Sequence, residues 1–471
     1  MPSRPPAPRV VRVAFTTLGC RLNQFDTEAM KAALPDGAGP PAAGSPPDGV
    51  PWISVEWEDE ADVYVINSCT VTGKADQKCR QLARAVKRRR PHARVVVAGC
   101  YAQTQPDRVA AIEGIDGVVG NTLKESPGRW LPAVLAAPPG PPVVAVAPFP
   151  RRLPFAAAPL ERFAGHSRAF VKIQDGCDLR CAYCLVWQAR GPARSRPAEE
   201  IVAQAAALET TGFRELVLAG VNLGSYGRER GETDALAALV ERLLAARPNL
   251  RLRLGSLHPD EVTPALLRLW TRATPRLRPH LHLSLQSGDD DVLARMRRPY
   301  CAAVARETAL AFAAAAGPHA ALGADVIAGF PGETEAAHAR TVELLAGLPL
   351  AYLHVFRFSP RPGTPAADLP APVPPETATA RAGELRRLGR RRRREFAAAL
   401  AGSWREAIVE DGEAPAGWRP ATTDNYATVL VPDPWPAGAL VRLKIGASAG
   451  DTPTAPPRAD DVVAMPFEEQ T

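Results

Sequence analysis

The chain has 471 residues, 23% of them charged, with a formal net charge of +7 and 46% apolar residues. That length exceeds one ordinary domain and supplies a sizeable core, while no apolar run approaches a membrane span. The N-terminal MPSRPPAPRVVRVAF also lacks the apolar core of a secretory signal, so a cytoplasmic chain with reduced thiols and no membrane partner is expected.

In chain order, three β-branched runs come first: VRVAFTT (11–17), DVYVINS (62–68) and RVVVAG (94–99). Near-continuous runs of this kind predict strands covered on both faces of a parallel sheet. Helices are expected over 27–34 and 74–90, which completes a β-α-β pattern. The aperiodic PDGAGPPAAGSPPDGVP, residues 35–51, reads as a flexible insertion, and a second Pro-rich stretch reads as a linker over 136–160.

Strand then helix alternates six times in the middle of the chain. The strand candidates are AFVKI (169–173), ELVLA (215–219), RLRLG (251–255), LHLSL (281–285), LGADVIA (322–328) and LHVFRF (353–358). Six parallel βα units predict a doubly wound sheet or an incomplete barrel, with chemistry at the C-terminal strand ends. A helix is expected over 377–401, and the runs REAIVE, YATVLV, LVRLKI and DDVVAM then predict a small β-barrel. The expected division is an α/β domain over 9–135, the linker, a (β/α)6 domain over 161–400 and a barrel over 401–468.

Eight cysteines in a reduced chain are metal ligands, catalytic groups or core residues rather than disulfides. Cys177, Cys181 and Cys184 are spaced C-x3-C-x2-C on the loop after the first strand of the six-unit domain. Three thiolates cannot close a tetrahedral zinc site. They can hold three irons of a 4Fe–4S cluster and leave the fourth open to a small chelating ligand. Zinc completed by a remote ligand such as His258, or plain loop cysteines, are the alternatives. A second triplet, Cys20, Cys69 and Cys100, follows the three N-terminal strands directly. Parallel strands end on one edge, so these loops can converge and hold a second cluster; buried thiols are the alternative. Cys79 shares a helical face with Leu82 and Val86 and is expected in the core. Cys301 receives no role.

The first of these loops, GCDLRCAYCLV (176–186), resembles the radical S-adenosylmethionine superfamily. LAGVNLGSYG (218–227), HLHLSLQSG (280–288) and DVIAGFPGE (325–333) resemble its later strand-end motifs in the same order. Two cysteine triplets followed by a small β-barrel resemble the methylthiotransferases, and that likeness covers nearly the whole chain. The resemblance implies an N-terminal α/β domain, a radical domain, a C-terminal TRAM barrel, two 4Fe–4S clusters and S-adenosylmethionine. It implies cluster ligation by Cys20, Cys69 and Cys100 and by Cys177, Cys181 and Cys184. Cofactor contacts would fall at Gly220, Asn222, Ser256, Gln286 and Gly329.

INSCTVTGKADQKCRQ (66–81) and AGCYAQTQP (98–106) resemble the tRNA branch that acts on N6-threonylcarbamoyladenosine. The branches acting on isopentenyladenosine or on a ribosomal-protein aspartate are the enzyme alternatives; a zinc-stabilised RNA-binding protein is the other. The implied reaction places a methylthio group at C2 of the adenine, in a tRNA anticodon stem-loop, with an electron donor such as a flavodoxin or ferredoxin. Basic stretches at 80–94 and 381–394 are candidates for phosphate contact. Three features depart from the family pattern: LVWQARG after Cys184 carries Trp187 and Gln188, HVFRFSP carries Arg357, and the tail from 401 to 471 holds 11 acidic and 5 basic residues.

Overall fold

The structure is a computed structural model that describes residues 10–34, 51–150, 155, 160, 163, 165–273, 275–433, 435–446 and 463–466. The insertion expected at 35–51 lies outside the described residues except for Pro51, as do parts of the expected linker and of the tail. The chain forms two units. The first is Met1–Leu160 with Asp175–Arg180 and Cys184–Arg194; the second is Glu161–Gln174, Cys181–Tyr183 and Ser195–Thr471.

The first unit is built on a six-stranded, all-parallel sheet. Its strands are β1 (Val11–Thr17), β2 (Trp52–Val55), β3 (Val63–Ser68), β4 (Arg94–Gly99), β5 (Gly117–Val119) and β6 (Val143–Ala145), in the order β2-β1-β3-β4-β5-β6. Alternation along each strand divides the core between two faces. Ala14, Tyr64, Ile66, Val95 and Val97 meet Cys79, Ala83 and Val86 of helix α2 (Gly73–Arg89) on one face. Val13, Phe15, Val63, Val65, Val96 and Ala98 meet Met30 of helix α1 (Arg21–Ala32) and Trp130, Leu131 and Val134 on the other. Cys79 is fully buried there, as its helical spacing requires.

Helix α1 starts six residues before the helix expected from residue 27. Its start carries the buried apolar series Leu22, Phe25 and Ala29, interleaved with Asn23, Asp26 and Thr27, which are also buried. Strands β2, β5 and β6 were not expected. The last is three residues of the stretch predicted to be linker, and it pairs in register with β5. Short segments of three or four residues carry too little periodicity to be read, and the sheet neighbour decides them.

In the second unit, β7 (Ala169–Lys172), β8 (Glu215–Ala219) and β9 (Arg251–Leu254) pair in parallel. So do β10 (Ser256–Leu257), β11 (His280–Gln286), β12 (Ala321–Ala328) and β13 (Leu350–Arg357). Strands β9 and β10 are one run broken at Gly255, so six consecutive βα units line up as an incomplete (β/α)6 barrel. At the break the Gly255 N–H donates to Leu218 O at 2.9 Å. A side chain there would come within 3.0 Å of that carbonyl oxygen. The long helix α3 (Pro375–Ala399) packs Gly389 against Leu353 of β13.

The tail closes into a five-stranded barrel of β14 (Trp404–Val409), β15 (Trp418–Thr423), β16 (Thr428–Pro432), β17 (Leu440–Ile445) and β18 (Val463–Pro466). Strand β15 was not expected; Pro420 within it breaks the apolar run. Buried ion pairs tie barrel to sheet. Glu215, Arg253 and Arg278 are all fully buried. Glu215 accepts from Arg253 at 2.7 Å and from Arg278 at 2.6 Å. Arg278 and Arg251 both reach Glu406 of the barrel at 2.9 Å, and Arg253 donates to Thr423 O at 3.0 Å. The Tyr426 ring lies under the Arg253 guanidinium, 5.2 Å away, and Asn425 Nδ2 donates to His319 O at 2.8 Å. The Asn425-Tyr426 pair therefore anchors the barrel on the six-strand sheet.

Candidate active site

Register brings the N-terminal cysteine triplet together. Thr17 pairs with Asn67, and Ser68 pairs with Gly99, so Cys69 and Cys100 are the next residues on adjacent strands. Cys20 caps α1 three residues after β1 ends. The glycine before it makes the approach possible. Gly19 has φ +101°, and a Cβ there would lie 2.6 Å from the Cys69 Cβ. Gly99 likewise has φ +96°, with the Asn67 Oδ1 only 2.5 Å from where its Cβ would be.

Asn23, on the first turn of α1, holds these loops. Its Nδ2 donates to Leu18 O at 2.8 Å and to Ser68 O at 3.0 Å. Asn67 Nδ2 donates back to Asn23 O at 2.8 Å. Arg190 Nη2 donates to Asn23 Oδ1 at 2.7 Å and to Asp26 Oδ2 at 2.8 Å, and Nη1 pairs with Asp175 at 3.1 Å. Lys124 closes on Asp26 at 2.6 Å. Sequence reasoning missed Asn23, Asp26, Lys124 and Arg190. The available signal was three polar residues at helical spacing, Asn23, Asp26 and Thr27, on a helix whose start was expected only at residue 27.

The donors fit a cluster better than a single ion. Burial, then the neighbouring Cys100, pushes the Cys69 thiol up to about 12, with Cys20 adding to the effect and the Val71 N–H opposing it. A metal takes such a thiol as the thiolate and releases its proton. Asn121 Nδ2 donates to Cys100 Sγ at 3.4 Å and Val71 N to Cys69 Sγ at 3.5 Å. Sulfurs around one zinc ion lie about 3.8 Å apart. Among the described residues, the donor group gathered within 4.8 Å lies elsewhere, at His282, Asp325 and His354, and includes none of these cysteines.

Of the C-x3-C-x2-C triplet, Cys177 and Cys184 belong to the first unit. The Cys177 N–H donates to Gly191 O at 3.0 Å, and Cys184 Sγ accepts from Val186 N at 3.3 Å. Gly176, at φ +72°, passes so close to Pro192 O that no side chain fits. Trp187 lies 5.1 Å from the Arg180 guanidinium, so this departure from the family pattern braces the cysteine loop. Cys181 belongs to the second unit. Its sulfur accepts from Arg298 Nη1 at 3.1 Å, and Arg298 is itself held by Tyr300 Oη at 2.9 Å and Ser284 O at 3.1 Å. Burial, with Arg298 and Arg228 nearby, pushes the His258 imidazole down to about 3. His258 begins the turn Pro259–Glu261, where its own N–H donates to Glu261.

The five expected cofactor contacts sit at or just past C-terminal strand ends of the six-unit sheet. Gly220 follows β8, and a side chain there would meet Gln174 Oε1 at 3.0 Å. The Asn222 N–H donates to that same oxygen at 2.9 Å, and Asn222 is buried. Ser256 is exposed on β10. Gln286 ends β11 at φ +69°, a conformation a non-glycine residue rarely holds. Gly329, at φ +80°, packs against Ala378 of α3, and its N–H donates to Glu333 at 2.8 Å. Its lack of a side chain thus serves helix packing.

The two basic stretches differ in use. On α2, Lys74, Lys78, Arg84, Arg88 and Arg89 are exposed, while Lys87 is paired with Asp116 at 2.7 Å. On α3, Arg381 is buried against Glu333 at 2.9 Å and is structural. Arg387, Arg390, Arg393 and Arg394 are exposed. Arg357 donates to Thr379 Oγ1 at 2.8 Å on the same side of the sheet as α3. Cys301 precedes the helix Ala302–Ala316 and makes no side-chain cap.

Residues 171–345 match the Radical SAM superfamily, and residues 47–120 match the uncharacterized protein family UPF0004. A threonylcarbamoyladenosine tRNA methylthiotransferase, MtaB, of Aquifex aeolicus is 35% identical over 92% of this chain and 100% of its own length. The MtaB of Bacillus subtilis is 32% identical over 89% of this chain and 90% of its own. A tRNA-2-methylthio-N(6)-dimethylallyladenosine synthase of Sorangium cellulosum is 38% identical over 86% of this chain and 83% of its own. Among solved structures, the radical S-adenosylmethionine methyltransferase TsrM of Kitasatospora setae superposes with a TM-score of 0.55 at 14% identity, covering 76% of this chain and 77% of that one. That likeness is one of fold.

Proposed function

The chain belongs to the radical S-adenosylmethionine methylthiotransferases, and from that premise we propose that it methylthiolates C2 of N6-threonylcarbamoyladenosine in the anticodon loop of tRNA. The observation that carries this reading is the 35% identity to a relative named for that nucleoside, extending over that relative's whole length. It is supported by INSCTVTGKADQKCRQ around Cys69. The Sorangium relative favours a second reading, dimethylallyladenosine as the substrate base.

The cofactors are two 4Fe–4S clusters and S-adenosylmethionine. When bound, they supply the electron, the radical, the sulfur and the methyl group that acid–base side chains cannot, because the C2 hydrogen is not acidic. In this reading Cys177, Cys181 and Cys184 hold one cluster, and Cys20, Cys69 and Cys100 the other. Arg298 donates a charged hydrogen bond to the Cys181 sulfur. Asn121 and the Val71 N–H donate neutral hydrogen bonds to the Cys100 and Cys69 sulfurs, and such bonds adjust cluster potential. Gly220 and Asn222 present backbone near Gln174, and Ser256, Gln286 and Gly329 complete the proposed cofactor rim.

The proposed domains are residues 9–135, 161–400 and 401–468, with a joining stretch at 136–160. The proposed partners are tRNA, gripped by the exposed arginines of α3 or the basic residues of α2, and a flavodoxin or ferredoxin as donor. A cytoplasmic location follows from that substrate. No described helix is long and apolar enough to cross a membrane.

The test is the nucleoside profile of tRNA from a strain lacking the chain and any redundant enzyme. Loss of 2-methylthio-N6-threonylcarbamoyladenosine, with its unmodified parent accumulating, is expected. Loss of the dimethylallyl derivative instead would select the second reading.

A further inference from the structure

The motif strands carry three groups that the proposed reaction does not use. His282 is on β11, Asp325 on β12 and His354 on β13, three neighbouring parallel strands. His282 pairs with Gly323, and Asp325 pairs with His354. Alternation therefore puts all three side chains on one face of the sheet. His282 Nε2 lies 2.9 Å from Asp325 Oδ1, and His354 Nδ1 lies 3.3 Å from the same oxygen. One donor atom from each falls within 4.8 Å of the other two.

We propose that His282, Asp325 and His354 form a mononuclear transition-metal site of the zinc or cobalt class, separate from both cysteine triplets. Two imidazoles and one carboxylate are the donors that such ions take, with three protein ligands leaving a position open. Bonds of about 2.1 Å in tetrahedral array separate donor atoms by about 3.4 Å, close to the 2.9 and 3.3 Å found here.

The surroundings fit as well. A metal-bound imidazole needs its other nitrogen held by a neighbour. His282 Nδ1 lies 3.0 Å from Tyr352 Oη, and that hydroxyl lies 2.8 Å from His280 Nε2. With a metal on Nε2, the Nδ1–H donates to Tyr352, whose hydroxyl donates on to His280. One of the three ligands also faces open space. His354 is half exposed and lines a cleft of about 490 Å³ together with Arg168, Tyr352, Arg393, Glu410 and Tyr426.

The test uses the full chain with both clusters reconstituted, so that the cysteines are occupied. After chelating resin, the protein is given excess zinc, desalted, and analysed for iron and zinc. One zinc per chain beyond about eight irons is expected. His354→Ala and Asp325→Ala should each lose at least nine-tenths of that zinc with iron unchanged. Tyr352→Phe should bind 10- to 100-fold more weakly. Substituted cobalt should give d–d absorption without a thiolate charge-transfer band. Holoenzyme with no zinc beyond background, zinc retained in both alanine variants, or a thiolate band from cobalt would overturn the proposal. In each of those outcomes the triad is a hydrogen-bonded relay only. Because the readout is metal content, its failure is distinct from failure of the substrate reading.

Discussion

Replacing Glu215 by glutamine tests the joint between sheet and barrel. Glu215 is fully buried and faces Arg253 at 2.7 Å, Arg278 at 2.6 Å and Arg168 at 3.8 Å. Burial alone would raise its carboxyl. Arg253, Arg278 and Arg168 outweigh that and hold it down at about 2 against an ordinary 4.5. At about 1.4 kcal/mol for each tenfold in proton affinity, the gap is about 3 kcal/mol. Removing one partner from a buried ion pair independently costs about 3–5 kcal/mol. Because the folded value is depressed, this contribution is fully present above pH 4.5 and is lost as pH falls through about 2. Anaerobic denaturant titration of the holoprotein at pH 7, followed by circular dichroism, should show the transition that includes the barrel destabilised by about 3 kcal/mol or more in Glu215→Gln. The difference should shrink once acid protonates the wild-type carboxylate. A loss of less than about 1 kcal/mol at pH 7, within the range of an exposed pair, would refute this account of the joint.

Gly19→Ala introduces a methyl 2.6 Å from the Cys69 Cβ at φ +101°; iron should fall from about eight to about four per chain with helix content unchanged, and a full complement would contradict the approach argued for Gly19. Cys100→Ala and Cys177→Ala should separate the two triplets. The first variant retains reductive cleavage of S-adenosylmethionine but makes no methylthio product, and the second loses both. Cleavage surviving in Cys177→Ala would mean that the wrong loop was chosen. Combined Arg387→Ala, Arg390→Ala and Arg394→Ala should weaken tRNA binding and lower the slope of log affinity against log salt by about 2 to 3. An unchanged slope would assign that face of α3 to solvent.

Much of this was legible in the sequence because the main strands are long and β-branched. VRVAFTT and RVVVAG became strands over the residues expected, and ELVLA did likewise. Cys69 and Cys100 were legible as neighbours because each directly follows such a strand, and adjacent parallel strands end on one edge. The three- and four-residue strands β2, β5 and β6 were hidden, since segments so short are decided by pairing. The first turn of α1 was hidden for a different reason. Asn23 and Asp26 look like surface residues until Arg190 and Lys124, 98 or more residues away, neutralise and bond them. Charge counting misled in part as well. Arg381 belongs to a basic run yet is spent on Glu333 inside the fold. The acidic tail is read better now that Glu406 is seen gripping Arg251 and Arg278.

The central claim is methylthiolation of one tRNA nucleoside, and a defined reaction tests it most directly. Reconstituted holoenzyme, reductant and S-adenosylmethionine are incubated anaerobically with two tRNAs, one carrying N6-threonylcarbamoyladenosine and one carrying dimethylallyladenosine, and the nucleosides are weighed by mass spectrometry. The account predicts a 2-methylthio product from the first tRNA, and from the second at most a small fraction of that. Product from the dimethylallyladenosine tRNA alone, or from neither while S-adenosylmethionine is still cleaved, would contradict it.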